Sequence, residues 1–254
     1  MMNPLIVLER IRKSYRLGKT EVRALRDLDL VIQPGEFTAL SGPSGSGKTT
    51  LLNIIGCIDK PDTGRLVLGG EDVTPRSLNS LAGLRRERLG YIFQSFNLIP
   101  VLTAYENVEY PLLLTRMAAA ERRRRVEAML ERVGLADKCR HNPGQLSGGQ
   151  RQRIAIARAL VTAPAAVLAD EPTANLDSLT SGEILDLMEQ LNRENGTAFL
   201  FATHDPRIVA KARRVVRLLD GTIVADAPAP MAAVPQDPLL MGRNTHAQTI
   251  QNRP

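Results

Sequence analysis

Short apolar runs alternate with glycine-rich or charged breaks along most of this chain, and the pattern predicts strands interleaved with helices. Leu5-Ile6-Val7-Leu8 opens a strand over 5–16, and Val22, Leu25, Leu28, Leu30 and Ile32 mark a second over 22–32, with a turn at Arg16-Leu17-Gly18-Lys19-Thr20 between them. Pro34-Gly35 is another turn, and Phe37-Thr38-Ala39-Leu40 another strand. Thr50-Leu51-Leu52-Asn53-Ile54-Ile55 then reads as a helix. After the break Lys60-Pro61-Asp62-Thr63-Gly64 comes a strand, Arg65-Leu66-Val67-Leu68, closed by Gly69-Gly70. Leu78, Leu81 and Leu84 predict a helix over 77–89, and Leu89–Gln94 a strand.

The middle of the chain changes character. Val126, Met129, Leu130 and Val133 share one helical face, and 103–141 reads as helical. A second helix covers 148–162. Ala165–Ala169 is a buried strand ending at Asp170-Glu171. A helix over 178–194 follows, capped by Asp177 or Ser178 and ended by Gly196. Thr197–Ala202 is a strand ending at Thr203-His204-Asp205, and residues 215–219 and 222–224 form a hairpin around Asp220-Gly221. Beyond Asp226 periodicity stops, so 227–254 is expected to be a disordered, Ala/Pro-rich tail. The domain itself spans 5–226, with a helical subdomain at about 95–160 inserted between two sheet strands. A parallel sheet with a short antiparallel layer beside it is the expected α/β architecture.

Composition adds limits. The 254 residues allow a sizeable core. A net charge of +6 raises nucleic acid or an anionic membrane surface as partners, but a solvated basic surface is the simpler reading. The same choice applies to Arg122–Arg125, with Glu121, Glu127 and Glu131 close by in the helix. Cys57 and Cys139 lack metal-ligand spacing and fit reduced, packed thiols in a cytoplasmic protein. No secretory leader and no run of about 18 apolar residues is visible, so a membrane role requires a partner.

Chemistry concentrates at Gly42-Pro43-Ser44-Gly45-Ser46-Gly47-Lys48-Thr49-Thr50, which reads G-x-x-x-x-G-K-[ST] between a strand and a helix. Glycines let backbone N–H groups close around phosphate oxygens, and the helix N-terminus adds partial positive charge. Lys48 is expected to reach the β- and γ-phosphates and the Thr49 hydroxyl to hold Mg²⁺. A strand ending in Asp170-Glu171 supplies one carboxylate for the metal shell and another, Glu171, to orient water. A third motif, the glycine-rich helix start Leu146-Ser147-Gly148-Gly149-Gln150-Arg151-Gln152-Arg153, offers a second phosphate-binding N-terminus. One copy of each motif means one nucleotide-binding unit per chain.

With this third motif between the other two, the sequence resembles the ABC ATPases over residues 5 to about 225. The resemblance implies a P-loop NTPase fold, ATP and Mg²⁺ as ligands, and ATP hydrolysis. It implies that Tyr15 stacks on adenine, that Gln94 contacts Mg²⁺ or the attacking water, that Asp177 belongs to the D-loop, and that His204 meets the γ-phosphate. Ala174-Asn175 departs from the commoner Ser-Ala at that place. The family geometry implies a head-to-tail homodimer, in which Ser147, Gly148, Gly149 and Gln150 of one copy close on the ATP of the other. Gly18–Leu25, Gln94–Pro100 with Leu102–Val108, and Pro172–Asp177 resemble the macrolide-export, lipoprotein-release and cell-division branch. That branch implies a separate membrane permease, with the cassette on the inner face of the membrane. A division-signalling ATPase is the alternative function. A DNA-repair ABC ATPase would carry a coiled-coil insertion or zinc spacing, neither of which is present, so no nucleic acid partner is expected. The apolar cluster Phe96, Leu98, Ile99, Val101 and Leu102 fits either a permease contact or subdomain core.

Overall fold

The structure, a computed structural model, describes residues 3–18 and 20–228. In chain order its elements are β1 (Ile6–Leu17), β2 (Thr20–Ile32), β3 (Phe37–Ser41), α1 (Lys48–Ile55), β4 (Thr63–Leu68), β5 (Glu71–Asp72), α2 (Ala82–Arg88) and β6 (Leu89–Ile92). Then follow α3 (Ala104–Leu113), α4 (Ala119–Arg132), α5 (Gly148–Leu160), β7 (Ala166–Asp170), α6 (Ser178–Asn195), β8 (Ala198–Thr203), α7 (Pro206–Lys211), β9 (Arg214–Leu219) and β10 (Thr222–Pro228).

Two sheets form. β2-β1-β4-β5 is antiparallel throughout. The larger sheet runs β10-β9-β3-β8-β7-β6, parallel except for the β9–β10 hairpin. The α/β architecture expected from the sequence is therefore present. The central strands alternate strictly, because successive side chains leave opposite faces. Phe37, Ala39, Val167, Ala169, Phe199 and Phe201 enter one core with α3, α4, α5 and α6. Leu40, Ala166, Leu168, Ala198, Leu200 and Ala202 enter the other, with α1 and the antiparallel sheet. Phe37, Phe199 and Phe201 cluster, their centroids 4.7–5.9 Å apart.

Several local forecasts are corrected. The helix expected over 77–89 starts only at Ala82. Upstream, Ser80 bonds back to Ser77 through both its N–H and its hydroxyl, and the leucine spacing there serves a turn. The two-residue β5 and the short α7 had no periodicity long enough to show. β10 runs to Pro228, with Ala227 opposite Val215, so paired strand extends past the boundary placed at 226. The rest of the expected tail lies outside the described residues. Asp177 is the cap of α6, accepting from Thr180 N–H. Asp220 and Gly221 both take positive φ, +47° and +79°, as a tight two-residue hairpin turn requires.

The arginine run is largely paired within its own subdomain. Arg124 and Arg125 bind Glu121, and Arg122 binds Glu109. That favours the solvated-face reading over a nucleic-acid patch.

Gly90 shows how tightly the subdomain meets the sheet. A Cβ there would lie 2.4 Å from the Ala159 carbonyl oxygen and 3.1 Å from Val167 Cγ2. Gly90→Ala should lower unfolding free energy by about 1–3 kcal/mol, since backbone must move to admit the methyl. Urea denaturation of the full chain measures this, and an unchanged midpoint would refute the packing argument.

Candidate active site

All four loops at the carboxyl ends of β3, β6, β7 and β8 open on the same edge of the parallel sheet, where such folds place their ligand sites. A cleft of about 710 Å³ lies there. Tyr15, Pro43, Ser44, Gly45, Gly47, Lys48, Thr49, Thr50, Gln94, Asp170, Glu171 and His204 all line it. The sequence motifs, up to 189 residues apart in the chain, thus converge on one space (15 to 204).

The loop after β3 is held from below. Gly42 and Ser46 do not line the cleft. A Cβ on Gly42 would sit 2.2 Å from the Leu218 carbonyl oxygen, and Ser46 is buried with its carbonyl accepting from Gly221 N–H at 3.1 Å. The C-terminal hairpin therefore buttresses the loop, a contact no local pattern announces. Gly45 differs: φ is +79°, and nothing lies within 4 Å of its virtual Cβ. Its free side faces space that a ligand can use. Lys48 is buried and donates to the Gly42 and Pro43 carbonyl oxygens at 2.8 and 2.9 Å. An ammonium has three donors, so one remains for an anion.

Opposite, Thr49 Oγ1 donates to Asp170 Oδ1 at 3.2 Å. Burial pushes the Asp170 carboxyl above its ordinary range; the Thr49 bond and Lys48 oppose this, while Glu171 adds to it. Glu171 follows in the left-handed region at φ +45°. Its Oε1 lies 2.6 Å from His204 Nδ1, and its Oε2 accepts from Thr203 Oγ1 at 3.1 Å. Thr203 is fully buried and also accepts from Asp205 N–H, which leaves its own proton for Glu171. Burial acts to raise Asp205, but bonds from Arg207 and Thr173 hold it below the usual range. Thr173 donates to Asp205 at 2.9 Å, so with the two bonds at Glu171 the segments after β7 and β8 are laced three times. Thr203 and Thr173 were not singled out from sequence; only their places beside Glu171 and His204 hinted at them.

Tyr15 reaches the cleft from the end of β1, directly opposite Val22 on β2, which lines it too. Gln94 is exposed just past β6, and its carbonyl accepts from Asn175 Nδ2 at 2.8 Å. The segment after it is strained: Phe96 and Asn97 have φ +61° and +48°. Arg158 on α5 donates to both carbonyl oxygens, at 2.8 and 2.5 Å, and the Arg151 guanidinium lies 5.1 Å from the Phe96 ring centroid.

The remaining site candidates are elsewhere. Ser147, Gly148, Gly149, Gln150 and Asp177 do not line the cleft. Ser147 caps α5 through a reciprocal box with Gln150. Gly149 packs against α6, where a Cβ would meet Thr180 Cγ2 at 2.5 Å. Within one chain the second glycine-rich helix start does not reach the first.

The ABC transporter family profile matches residues 25–174. The chain belongs to the ABC transporter family. It is an ATPase cassette of that family: it shares 41% identity and a TM-score of 0.81 with the ATP-binding cassette MJ0796, solved as a post-hydrolysis dimer bound to ADP and Pi. That match covers 89% of this chain and 99% of the other. The macrolide export ATP-binding/permease protein MacB of Hyphomonas neptunium is 45% identical over 94% of this chain and 37% of its own length. The ABC transporter ATP-binding protein YvrO of Bacillus subtilis is 48% identical, covering 87% of this chain and 96% of its own length. The chain thus spans little more than a third of the MacB relative, and nearly all of YvrO. No helix among the described residues is long and apolar enough to cross a membrane.

Gly42 and Gly45, two of the three glycines of the phosphate loop, should separate on mutation. Gly42→Ala meets backbone and should destabilise the fold by about 2 kcal/mol or more. Gly45→Ala meets nothing and should cost only about 1–2 kcal/mol of conformational strain, while weakening ATP binding strongly. Urea denaturation alongside ATP titration decides; equal effects of both variants on both readouts would contradict the assignment.

Proposed function

We propose that this ABC cassette binds ATP in the cleft at the sheet edge and hydrolyses it in a head-to-tail dimer that drives a separate membrane permease. The observation that carries this is the division of the motifs. Lys48, Thr49, Asp170, Glu171 and His204 meet in one cleft, while Ser147 and its helix start stay out of it. A second copy supplying Ser147, Gly148, Gly149 and Gln150 would complete the site. The dimeric state of the MJ0796 cassette supports this arrangement.

The residues fit a magnesium ion. Thr49 and Asp170 bring hard oxygen donors together, and the burial that disfavours the Asp170 charge would be offset by a cation. Among the described residues there is no cluster of three His, Cys, Asp or Glu side chains that could hold a metal, as suits an ion that takes most of its ligands from phosphates and water. When bound, Mg²⁺ neutralises charge developing on the phosphate oxygens. Thr49, Asp170 and Gln94 are the residues that would hold it.

The protein's own part is positioning and electrostatics. Tyr15 stacks on the base. The loop N–H groups and Lys48 hold the phosphates. Glu171 accepts a hydrogen bond from the attacking water and aligns it, held on its far side by Thr203. His204, largely exposed and bonded to Glu171 through Nδ1, keeps Nε2 free to face a γ-phosphate. Cleavage removes the contacts that only ATP provides, and the dimer opens.

The permease would dock on the helical subdomain, and side-chain exposure supports one part of the expected cluster over another. Leu98 packs against the subdomain core, and Phe96 lies under Arg151. Val101, Tyr110, Leu113 and Leu114 are instead exposed, at 78, 45, 51 and 57%. Buried Asn107 fixes this shape by bonding the backbone of Ile99, Leu102 and Thr103. A hydrophobic surface of this kind suits a helix from a membrane partner. Similarity to MacB favours an export-type permease over a signalling role.

In steady-state assays, Glu171→Gln should lose at least about 100-fold in kcat, as other lost catalytic bases do, and accumulate as an ATP-bound dimer on size exclusion. Normal turnover would sink the water-aligning role. Val101→Ser with Leu113→Ser should leave the cassette's basal ATPase and melting temperature unchanged while abolishing stimulation by its permease; Leu98→Ser should instead lower the melting temperature.

A further inference from the structure

We propose that Lys13 and Asp59 are positioning residues for the nucleotide base, locking the Tyr15 ring to the far end of α1 before ligand arrives. This rests on the reading that Tyr15 is the base platform. The Tyr15 hydroxyl donates to Asp59 Oδ2 at 2.7 Å. The other oxygen, Oδ1, accepts from Lys13 Nζ at 2.8 Å and from Lys60 N–H at 2.7 Å. Lys13 Nζ also donates to the Lys60 carbonyl oxygen at 2.7 Å and lies 3.7 Å from the Asp62 carboxylate. Its side chain is 12% exposed, and the ammonium stands 5.2 Å from the Tyr15 ring centroid. A tyrosine in a strand needs none of this to pack.

The arrangement has a geometric consequence. The phosphate loop opens the N-terminus of α1, and Asp59 lies just beyond its C-terminal end, where its N–H and that of Ile58 bond back to the Asn53 carbonyl oxygen. One eight-residue helix therefore sets the distance between the phosphate cradle and the ring. The two subsites lie on different sheets, β3 and β1, and Asp59 is the rivet that ties the ring to the loop's own helix. The ammonium covers one face of the ring, which leaves the other for the base in the cleft that Val22 and Ala24 also line. A ring already fixed loses no rotamer freedom on binding. Tyrosine, rather than any aromatic, is then required, because the tether runs through its hydroxyl.

Inorganic tripolyphosphate shares the phosphates of ATP and lacks the base, so it separates positioning from general bracing. Calorimetric titration of the full chain with each ligand, in magnesium buffer, provides the test. Tyr15→Phe and Asp59→Asn should each weaken ATP about three- to tenfold and leave tripolyphosphate within about twofold, as expected for lost pre-organisation of one side chain. Tyr15→Ala should weaken ATP further, again sparing tripolyphosphate. If Tyr15→Ala weakens ATP while Tyr15→Phe and Asp59→Asn bind normally, the tether positions nothing and the proposal falls, with the platform intact. If both ligands weaken equally, the cluster is a structural brace and the proposal also falls. If Tyr15→Ala binds ATP normally, the platform reading itself fails.

Discussion

Everything in the candidate site depends on parallel registration of β3, β8 and β7. Ser41 pairs with Thr203, and Ala202 with Asp170, so the three strands end together. A parallel ladder points every carboxyl end the same way, and its two apolar faces fix which residues point where. The phenylalanines enter one core and the leucines the other, and the first residues past the last buried pairs are the polar ones. The phosphate loop, the carboxylate pair and His204 are neighbours because hydrophobic register makes them so. A one-residue slip would turn each strand's core face toward the wrong layer.

Around that edge the loops are tied to each other rather than left to close individually. The segment after β7 bonds to the segment after β8 through Thr203 and Thr173, and to Gln94 through Asn175. The Gln94 segment is bonded in turn to α5 by Arg158. Three residues sit in left-handed backbone along this path, Phe96, Asn97 and Glu171, and conformations of that sort persist only where neighbours hold them. The helix that begins at Ser147 is thus in physical contact with the loop that carries Gln94. A shift of α5 against the sheet would have to break or carry those bonds. Signals between the proposed permease on the helical subdomain and the cleft would have this route available.

What was legible in the sequence follows from how local each signal was. Asp170, Glu171 and His204 stood at or just past the ends of strongly patterned strands and Lys48 at the helix start after another, and their meeting place needed only the rule that parallel strands share an edge. Cap chemistry was equally local, as Asp177 and the Asp220-Gly221 turn show. The contacts that escaped are those between distant segments with no periodicity. Leu218 and Gly221 under the phosphate loop, Asp59 on Tyr15, and Arg158 on Phe96 and Asn97 join residues 44 to 176 positions apart, and a single sequence carries no trace of such pairing. The same limit explains the shortened α2: threefold leucine spacing describes a turn as well as a helix when serines offer the backbone alternative bonds.

The second glycine-rich helix start repays comparison with the first. Both precede a helix with small residues, yet their glycines do different work. Gly45 and Gly47 take positive φ, a conformation glycine adopts without a Cβ penalty where a loop must wrap tightly. Gly148 and Gly149 do not, and Gly149 is small because Thr180 occupies the space a side chain would need. Its role is therefore close packing of α5 on α6, while exposed Ser147 presents a capped helix end to the outside of the chain. A helix N-terminus that faces outward is open to a ligand carried on another surface. In the proposed dimer the phosphate loop would be one side of the site, and this helix start on a second copy the other. The rigid lacing at the sheet edge is then what keeps the first side in shape while it waits.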